Sequence, residues 1–291
     1  MILILLLFCI LVGMVLFYVF GITPSGLYQD IDDPLNLFMF QPPNNEYPPE
    51  FADLRVPKPR NFSVNSTIPC KSFIYPEDIP QKSKKVILYS HGNGENLLLC
   101  SGFLSVMRTS LQMDIITWDY SGYGDNPASP YERTPQGINE SLSTIYEYMV
   151  TELGYSTSNI YLWGYSLGTG PTLALARELT SDRVHDVPGV ITMGAYAGIK
   201  HVVKDIAGEW VSDKFTEKWD SLDNIKHVNC PILLIHGSSD KMIKPENSEL
   251  LHKANERYSE LQLLAGGHTT MLQGDTTFVI RDWMSRHKNA K

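Results

Sequence analysis

The sequence predicts an α/β fold: a mostly parallel central sheet with helices on both faces and a minimal cap, preceded by an N-terminal transmembrane helix. Three observations point there. Beyond Cys70, short apolar runs rich in β-branched and aromatic residues alternate with amphipathic stretches, the pattern of a parallel sheet whose crossovers are helices. Most of those runs are apolar at every position, as strands covered on both faces are. Residues 1–20 carry no charged side chain and are almost all Leu, Ile, Val, Phe or Met, about the length a helix needs to cross the hydrocarbon core. The 291 residues, 43% hydrophobic and 19% charged, can bury a full core in one such domain.

The N-terminal run reads as a retained anchor over residues 1–22. A cleaved signal peptide would show a basic start, a shorter apolar stretch and a small-residue cleavage site, and none of these is present. No Lys or Arg precedes the run, and the first one after it is Arg55, too distant for the positive-inside bias to set an orientation. Sequons at Asn61, Asn65 and Asn139 lean toward a single-pass protein whose main domain is luminal or extracellular. Residues 23–60 follow, holding Pro24, Pro34, Pro42, Pro43, Pro48, Pro49, Pro57 and Pro59. Their fixed φ angles and missing donors disfavour helix and sheet interior, so this stretch reads as an extended stalk or lead-in. The folded domain is expected over residues 61–291.

Within that domain, strands are expected at 86–89, 115–118, 160–163, 190–193, 232–235 and 261–264. The clearest helix carries Ile138, Leu142, Ile145 and Met149, which recur at i, i+4, i+7 and i+11 on one face. Further helices follow Asn96, Gly168 and Pro245, and a last one carries Ile280, Trp283 and Met284. Residues 195–229 leave room for one or two cap helices, at 199–206 and 213–218, and not for a large lid.

Composition excludes several classes of function. A formal charge of −8 with no dense Lys or Arg run repels phosphate backbones, so no nucleic-acid partner is expected. Cys9, Cys70, Cys100 and Cys230 show neither CxxC spacing nor a paired histidine cluster, which signals no metal site and no disulfide framework. No cofactor motif is present.

The chemistry is carried by loops at the ends of strands. Gly164-Tyr165-Ser166-Leu167-Gly168 follows the strand at 160–163 and opens a helical stretch, the context that a nucleophile elbow requires. The backbone turns so sharply there that side chains two positions either side of the serine would collide, which accounts for both glycines. Pro171 falls in the first helical turn, where a missing N–H costs nothing. A serine hydroxyl is a weak nucleophile and needs a base, itself oriented by an acid. In such sheets the chain order is Ser, then Asp or Glu, then His. Asp240 lies just past the strand at 232–235 and His268 just past the strand at 261–264, both where open α/β sheets keep their chemistry. Asp223 precedes its strand and is the weaker candidate for the acid. His185, His201, His227, His252 and His287 sit off the strand ends, while His236 stands on the wrong side of the acid and reads as packed or loop-bonding. A developing oxyanion needs two donors. One is the N–H of Leu167; the other belongs to His91-Gly92-Asn93-Gly94, with Asn93 preferred and Gly94 the alternative. His91 reads as a structural residue of that loop. Tyr165, beside the nucleophile, suits either contact with substrate or packing under the elbow.

HGNG at 91–94, Asp119-Tyr120-Ser121-Gly122-Tyr123-Gly124, GYSLGTGP at 164–171, IHGSSD at 235–240 and GGH at 266–268 together resemble one branch of the α/β-hydrolase superfamily. That branch holds small membrane-associated serine hydrolases, including protein depalmitoylases and single-span relatives. The resemblance covers about residues 36–288, since Phe40-Gln41-Pro42-Pro43 is also similar to the family's lead-in. It implies cleavage of acyl esters or thioesters through an acyl-enzyme, without a cofactor. An open site beside a bilayer suits an acyl-bearing lipid or an acylated protein as substrate. A serine peptidase of the prolyl-oligopeptidase type is the alternative enzyme, but the sequence holds no repeated strand blocks from which to build its propeller. A catalytically silent adaptor is the alternative outside enzymes, and such relatives usually lose a member of the triad.

Overall fold

The computed structural model describes residues 39–58, 67–74, 84–127, 132–181, 186–213, 216–272 and 275–287. The span expected at 1–22 and the lead-in up to residue 38 lie outside these residues. Among the described residues no helix is long and apolar enough to cross a membrane.

Among the described residues one 8-stranded sheet organises the domain, in the order β1-β2-β4-β3-β5-β6-β7-β8. The strands are β1 Leu54–Pro57, β2 Thr67–Phe73, β3 Val86–Ser90, β4 Asp114–Trp118, β5 Ile160–Tyr165, β6 Val190–Met193, β7 Ile232–Gly237 and β8 Ser259–Leu264. β2 pairs antiparallel with β1 and β4, and from β4 onward every pairing is parallel. Each of β3 to β7 is buried along its whole length, which explains why their sequences are uninterrupted apolar runs.

Alternate side chains of these strands feed two cores. Val86, Leu88, Ile116, Trp118 and Leu162 face one way, onto helices α2 Pro135–Thr151 and α3 Thr169–Thr180 and onto Leu251 of α7 Glu246–Ala254. Ile138, Leu142, Ile145 and Met149 are the buried face of α2, as their spacing predicts. Ile87, Tyr89, Ile115, Tyr161 and Trp163 face the other way, onto α1 Leu97–Leu111 and α8 Asp275–Arg286, the latter through Ile280, Trp283 and Met284. The helix starts are capped by side chains: Asn96 accepts the Leu99 N–H at 3.0 Å, and Thr134 accepts the Gly137 N–H at 3.1 Å.

Two strands escaped the sequence reading. β1 lies in the Pro-rich segment, and as the edge strand it tolerates Pro57; β2 carries Pro69 between β1 and β4, opposite Arg55 of β1. The described part of the lead-in is packed on the fold, with Phe40, Tyr47, Ala52 and Val56 all buried. In the cap, the first expected helix is α4 Ile199–Ala207. The second, expected at 213–218, is not formed at Thr216–Lys218. The helices there are α5 Glu209–Ser212 and α6 Ser221–Lys226. Glu217 explains the difference: its carboxylate accepts the N–H of Lys200 at 3.3 Å and of Lys218 at 2.9 Å. The segment is thereby held across the start of α4 instead of coiling on itself.

Candidate active site

Because β3, β5, β7 and β8 run parallel, the loops that leave their C-terminal ends emerge on one side of the sheet. This is where the expected site residues meet. Ser166 leaves β5 with φ +51, a left-handed backbone that a side-chain-bearing residue adopts only under constraint. The close approach is visible in the glycines. A Cβ on Gly164 would lie 2.4 Å from the Gly168 carbonyl oxygen, and one on Gly168 would lie 2.1 Å from the Ser90 carbonyl oxygen. A larger residue at 168 would push β3 off the elbow, and one at 164 would push β5 off the start of α3.

His268 follows β8, and its Nε2 lies 2.9 Å from Ser166 Oγ. Its Nδ1 lies 2.6 Å from Asp240 Oδ2. The other carboxylate oxygen accepts the N–H groups of Met242 and Ile243, at 2.8 and 3.1 Å, which fixes the acid's rotation. Burial would raise the Asp240 carboxyl, but hydrogen bonds from His236 and His268, the His268 charge and the Ile243 N–H hold it well below the usual carboxylate range. An ionised Asp240 makes His268 Nδ1 the protonated nitrogen, leaving Nε2 to accept the Ser166 proton.

The rival assignments separate cleanly. Asp223 pairs with Arg177 at 2.8 Å, far along the chain from His268. His252 bonds Ser259 and His287 bonds the Trp283 carbonyl. His227 lies beside Asp223. His185 is outside the described residues. His236 is the loop-bonding residue expected: Nε2 meets the Ile243 carbonyl at 2.8 Å and Nδ1 meets Ser248 Oγ at 2.6 Å. It also lies 3.3 Å from Asp240 Oδ2, a contact that nothing in its spacing announced. Tyr165 is buried, its ring 5.3 Å from that of His268 and its hydroxyl donating to the His268 carbonyl at 3.3 Å. It packs beneath the His268 imidazole. Cys70, Cys100 and Cys230 are unpaired and buried. Burial pushes their thiols up, Cys230 to about 12, so none offers a thiolate.

Of the expected oxyanion donors, Leu167 sits directly after Ser166, at the start of the 3-10 turn that leads into α3. Asn93 and Gly94 form the turn after β3, closed by the Glu95 N–H on the Gly92 carbonyl at 3.2 Å. The turn lies against the elbow, since the Gly168 position also faces the His91 carbonyl. Glu95, absent from the sequence reading, accepts the Gly92 N–H at 2.8 Å. Burial raises its carboxyl above the usual value, opposed by that N–H and by His268.

Behind the loop lies a buried pair. His91 Nδ1 donates to the Gly92 carbonyl, and Nε2 stands 3.6 Å from Asp119 Oδ1. Asp119 also accepts from the Leu97 N–H and the Tyr47 hydroxyl. Burial pushes the Asp119 carboxyl up to about 7, against the N–H groups of Leu97 and Asp125. Burial likewise pushes the His91 imidazole down to about 4, partly opposed by its bond to Gly92. Alone, Asp119 would favour the fold at low pH and lose that contribution as pH rises toward 7. His91 would favour the fold at neutral pH and lose it as pH falls toward 4. Between about pH 4 and 6.5 the two cancel, because folded and unfolded chains bind the same number of protons at the pair. Asp119→Asn removes one half. Stability should then fall with decreasing pH over that window, by up to about 1.4 kcal/mol per pH unit more than in wild type. Urea melts at stepped pH test this, and equal slopes in the two proteins would refute it.

A family model of the α/β-hydrolase fold matches residues 85–214. A protein of Acanthamoeba polyphaga mimivirus named as an α/β hydrolase, L404, is 30% identical over 204 residues, covering 68% of this chain and 72% of its own. The lysophosphatidylserine lipase ABHD12 of Danio rerio is 30% identical over 182 residues, covering 56% of this chain and 45% of its own. This chain thus spans less than half the length of that lipase. Among solved structures, Est1E from Butyrivibrio proteoclasticus superposes with a TM-score of 0.61 at 14% identity, covering 82% of this chain and 99% of its own. That likeness establishes the fold.

Proposed function

The chain belongs to the α/β-hydrolase family, and from the hydrogen-bonded series Ser166, His268 and Asp240 we propose that it is a serine hydrolase cleaving acyl esters or thioesters. The observation that carries this reading is the strained Ser166 backbone, φ +51, with Oγ 2.9 Å from His268 Nε2. A fold stores strain at a serine where the hydroxyl has to stand clear of the sheet.

In the first step His268 Nε2 takes the Ser166 proton as Oγ attacks the acyl carbon. Asp240 steadies the imidazolium through Nδ1–H without itself taking a proton. The carbonyl electrons move onto oxygen, which is received by the N–H groups of Leu167 and of Asn93, with Gly94 as the alternative. Collapse expels the alkoxide or thiolate, which collects the proton from Nε2. Water then repeats the sequence against the acyl-enzyme, and the carboxylic acid leaves.

The cap between β6 and β7 consists of the short helices α4, α5 and α6, which suits a site open to long acyl chains. With the zebrafish lipase as a relative, the substrate we favour is an acyl-bearing lipid or an acylated protein presented at a membrane. Residues 1–22 would supply the anchor. We place the catalytic domain on the luminal or extracellular side on the strength of the Asn61 and Asn65 sequons. The third, Asn139, lies within α2, where its Oδ1 accepts the Trp219 indole N–H at 2.7 Å. The test is turnover by the detergent-solubilised full chain. p-Nitrophenyl butyrate and octanoate, and a palmitoyl-cysteine peptide, are expected to be hydrolysed, and a peptide p-nitroanilide is not. Cleavage of the anilide alone would favour a peptidase. Inertness toward all of them would leave the fold serving as an adaptor.

A further inference from the structure

The two oxyanion donors differ in how they are held. Leu167 is locked by the elbow and by α3, and its carbonyl accepts the Tyr196 hydroxyl at 3.1 Å. Asn93 sits on a turn whose neighbour Gly94 is exposed, with nothing within 4 Å of where its Cβ would be. A turn of that kind does not aim a peptide N–H to within the tolerance that oxyanion binding demands. Something else must fix it.

The Asn93 side chain supplies the fixture. Its Oδ1 accepts the Tyr123 hydroxyl at 2.5 Å and the Gln41 N–H at 2.9 Å. Both donors are themselves immobilised. Tyr123 is fully buried, its ring 5.6 Å from His91 and 5.3 Å from Tyr120. Gln41 follows the buried Phe40, whose ring meets Trp219 edge-on. The same lead-in grips the next positions of the loop: the Asn45 carbonyl accepts Asn96 Nδ2–H at 2.8 Å, and Tyr47 donates to Asp119, which in turn accepts the Leu97 N–H at 3.0 Å. Residues 41, 45 and 47 thus hold residues 93, 96 and 97 in register.

We propose that Tyr123, together with the lead-in at Gln41, is a positioning residue for catalysis, holding the Asn93 N–H toward the oxyanion through the Asn93 side chain. The inference rests on the serine-hydrolase reading above. Burial pushes the Tyr123 phenol far above its ordinary value, so it remains a donor across the working pH range.

An interaction made only in the transition state lowers kcat when it is weakened and leaves KM alone. Tyr123→Phe is therefore expected to lower kcat on p-nitrophenyl butyrate about tenfold with KM unchanged. It should weaken inhibition by an acyl trifluoromethyl ketone by the same factor, because that adduct carries an oxyanion. Asn93→Ala, which loses both tethers while keeping its own N–H, is expected to lower kcat about 10²-fold, as removal of one such donor does. Adding Tyr123→Phe to Asn93→Ala should change nothing further, since the phenol acts through that side chain. A purely structural role for Tyr123 would shift the melting temperature with kcat unmoved, and a role independent of Asn93 would give additive losses of kcat in the double variant; either result overturns the proposal. Should Tyr123→Phe fail to fold, the partly exposed Asn93→Ala decides alone: wild-type kcat there refutes the inference. Failure of the underlying reading looks different, since the wild type would then hydrolyse no ester at all.

Discussion

Ser166→Ala is expected to abolish ester turnover, with kcat falling on the order of 10⁶-fold, about 8 kcal/mol of transition-state stabilisation. The size follows from what the hydroxyl is asked to do. With Oγ gone, the acyl-enzyme route is closed, and what remains is the oxyanion loop and binding acting on water. Stability should hardly change, because alanine keeps the Cβ that makes φ +51 costly and removes only the contact with His268 Nε2. Ser166→Gly separates the two effects. It should be as inactive as the alanine variant yet melt higher, the left-handed backbone costing an L-residue about 1 kcal/mol more than glycine. A fluorophosphonate probe gives the direct readout. Labelling of Ser166→Ala at the wild-type level would remove Ser166 from the mechanism, and a glycine variant that melts lower would remove the strain argument.

The contrast between what could and could not be read from the sequence is physical. β3 to β7 were visible because burial on both faces writes itself as an unbroken apolar run. Asp240 and His268 were visible because each stands a few residues past such a run, so finding the strand finds the loop. The elbow glycines were visible because the steric demand falls on specific spacings from Ser166. β1 and β2 were hidden by Pro57 and Pro69, whose local preference argues against strand until the pairing partner is known. The helix expected at 213–218 was lost to one tertiary bond, from Glu217 to the start of α4. The tethers of Asn93 come from residues 30 and 52 positions away, and no local pattern encodes a partner at that distance. The same holds for Tyr47 and Asp119, 72 positions apart. Sequence therefore revealed the groups that the fold brings together past the strand ends and concealed most of what holds them still.

Asp240→Asn should lower kcat about 10⁴-fold while keeping the geometry nearly intact. Asp240 Oδ1 takes the N–H groups of Met242 and Ile243, and an asparagine will keep its oxygen there, since an amide nitrogen would oppose two donors. The amide NH₂ then replaces Oδ2, 2.6 Å from His268 Nδ1. A donor at that distance forces Nδ1 to be the acceptor, which moves the imidazole proton to Nε2 and points it at Ser166. The base is then occupied by the proton it was meant to leave unbound. His236 deepens the loss. Its Nε2, donating to the Ile243 carbonyl and lying 3.3 Å from Asp240 Oδ2, would face the new NH₂ and push it further toward His268. Replacing His236 by Gln in the asparagine background relieves that opposition and should recover part of the lost rate; in the wild-type background it removes a partner of the carboxylate and should lower the rate. Steady-state kinetics on p-nitrophenyl butyrate across the four proteins read the sign. A loss of less than about tenfold in Asp240→Asn would mean that His268 holds its tautomer by other contacts, and Asp240 would then be a structural member of the β7 loop.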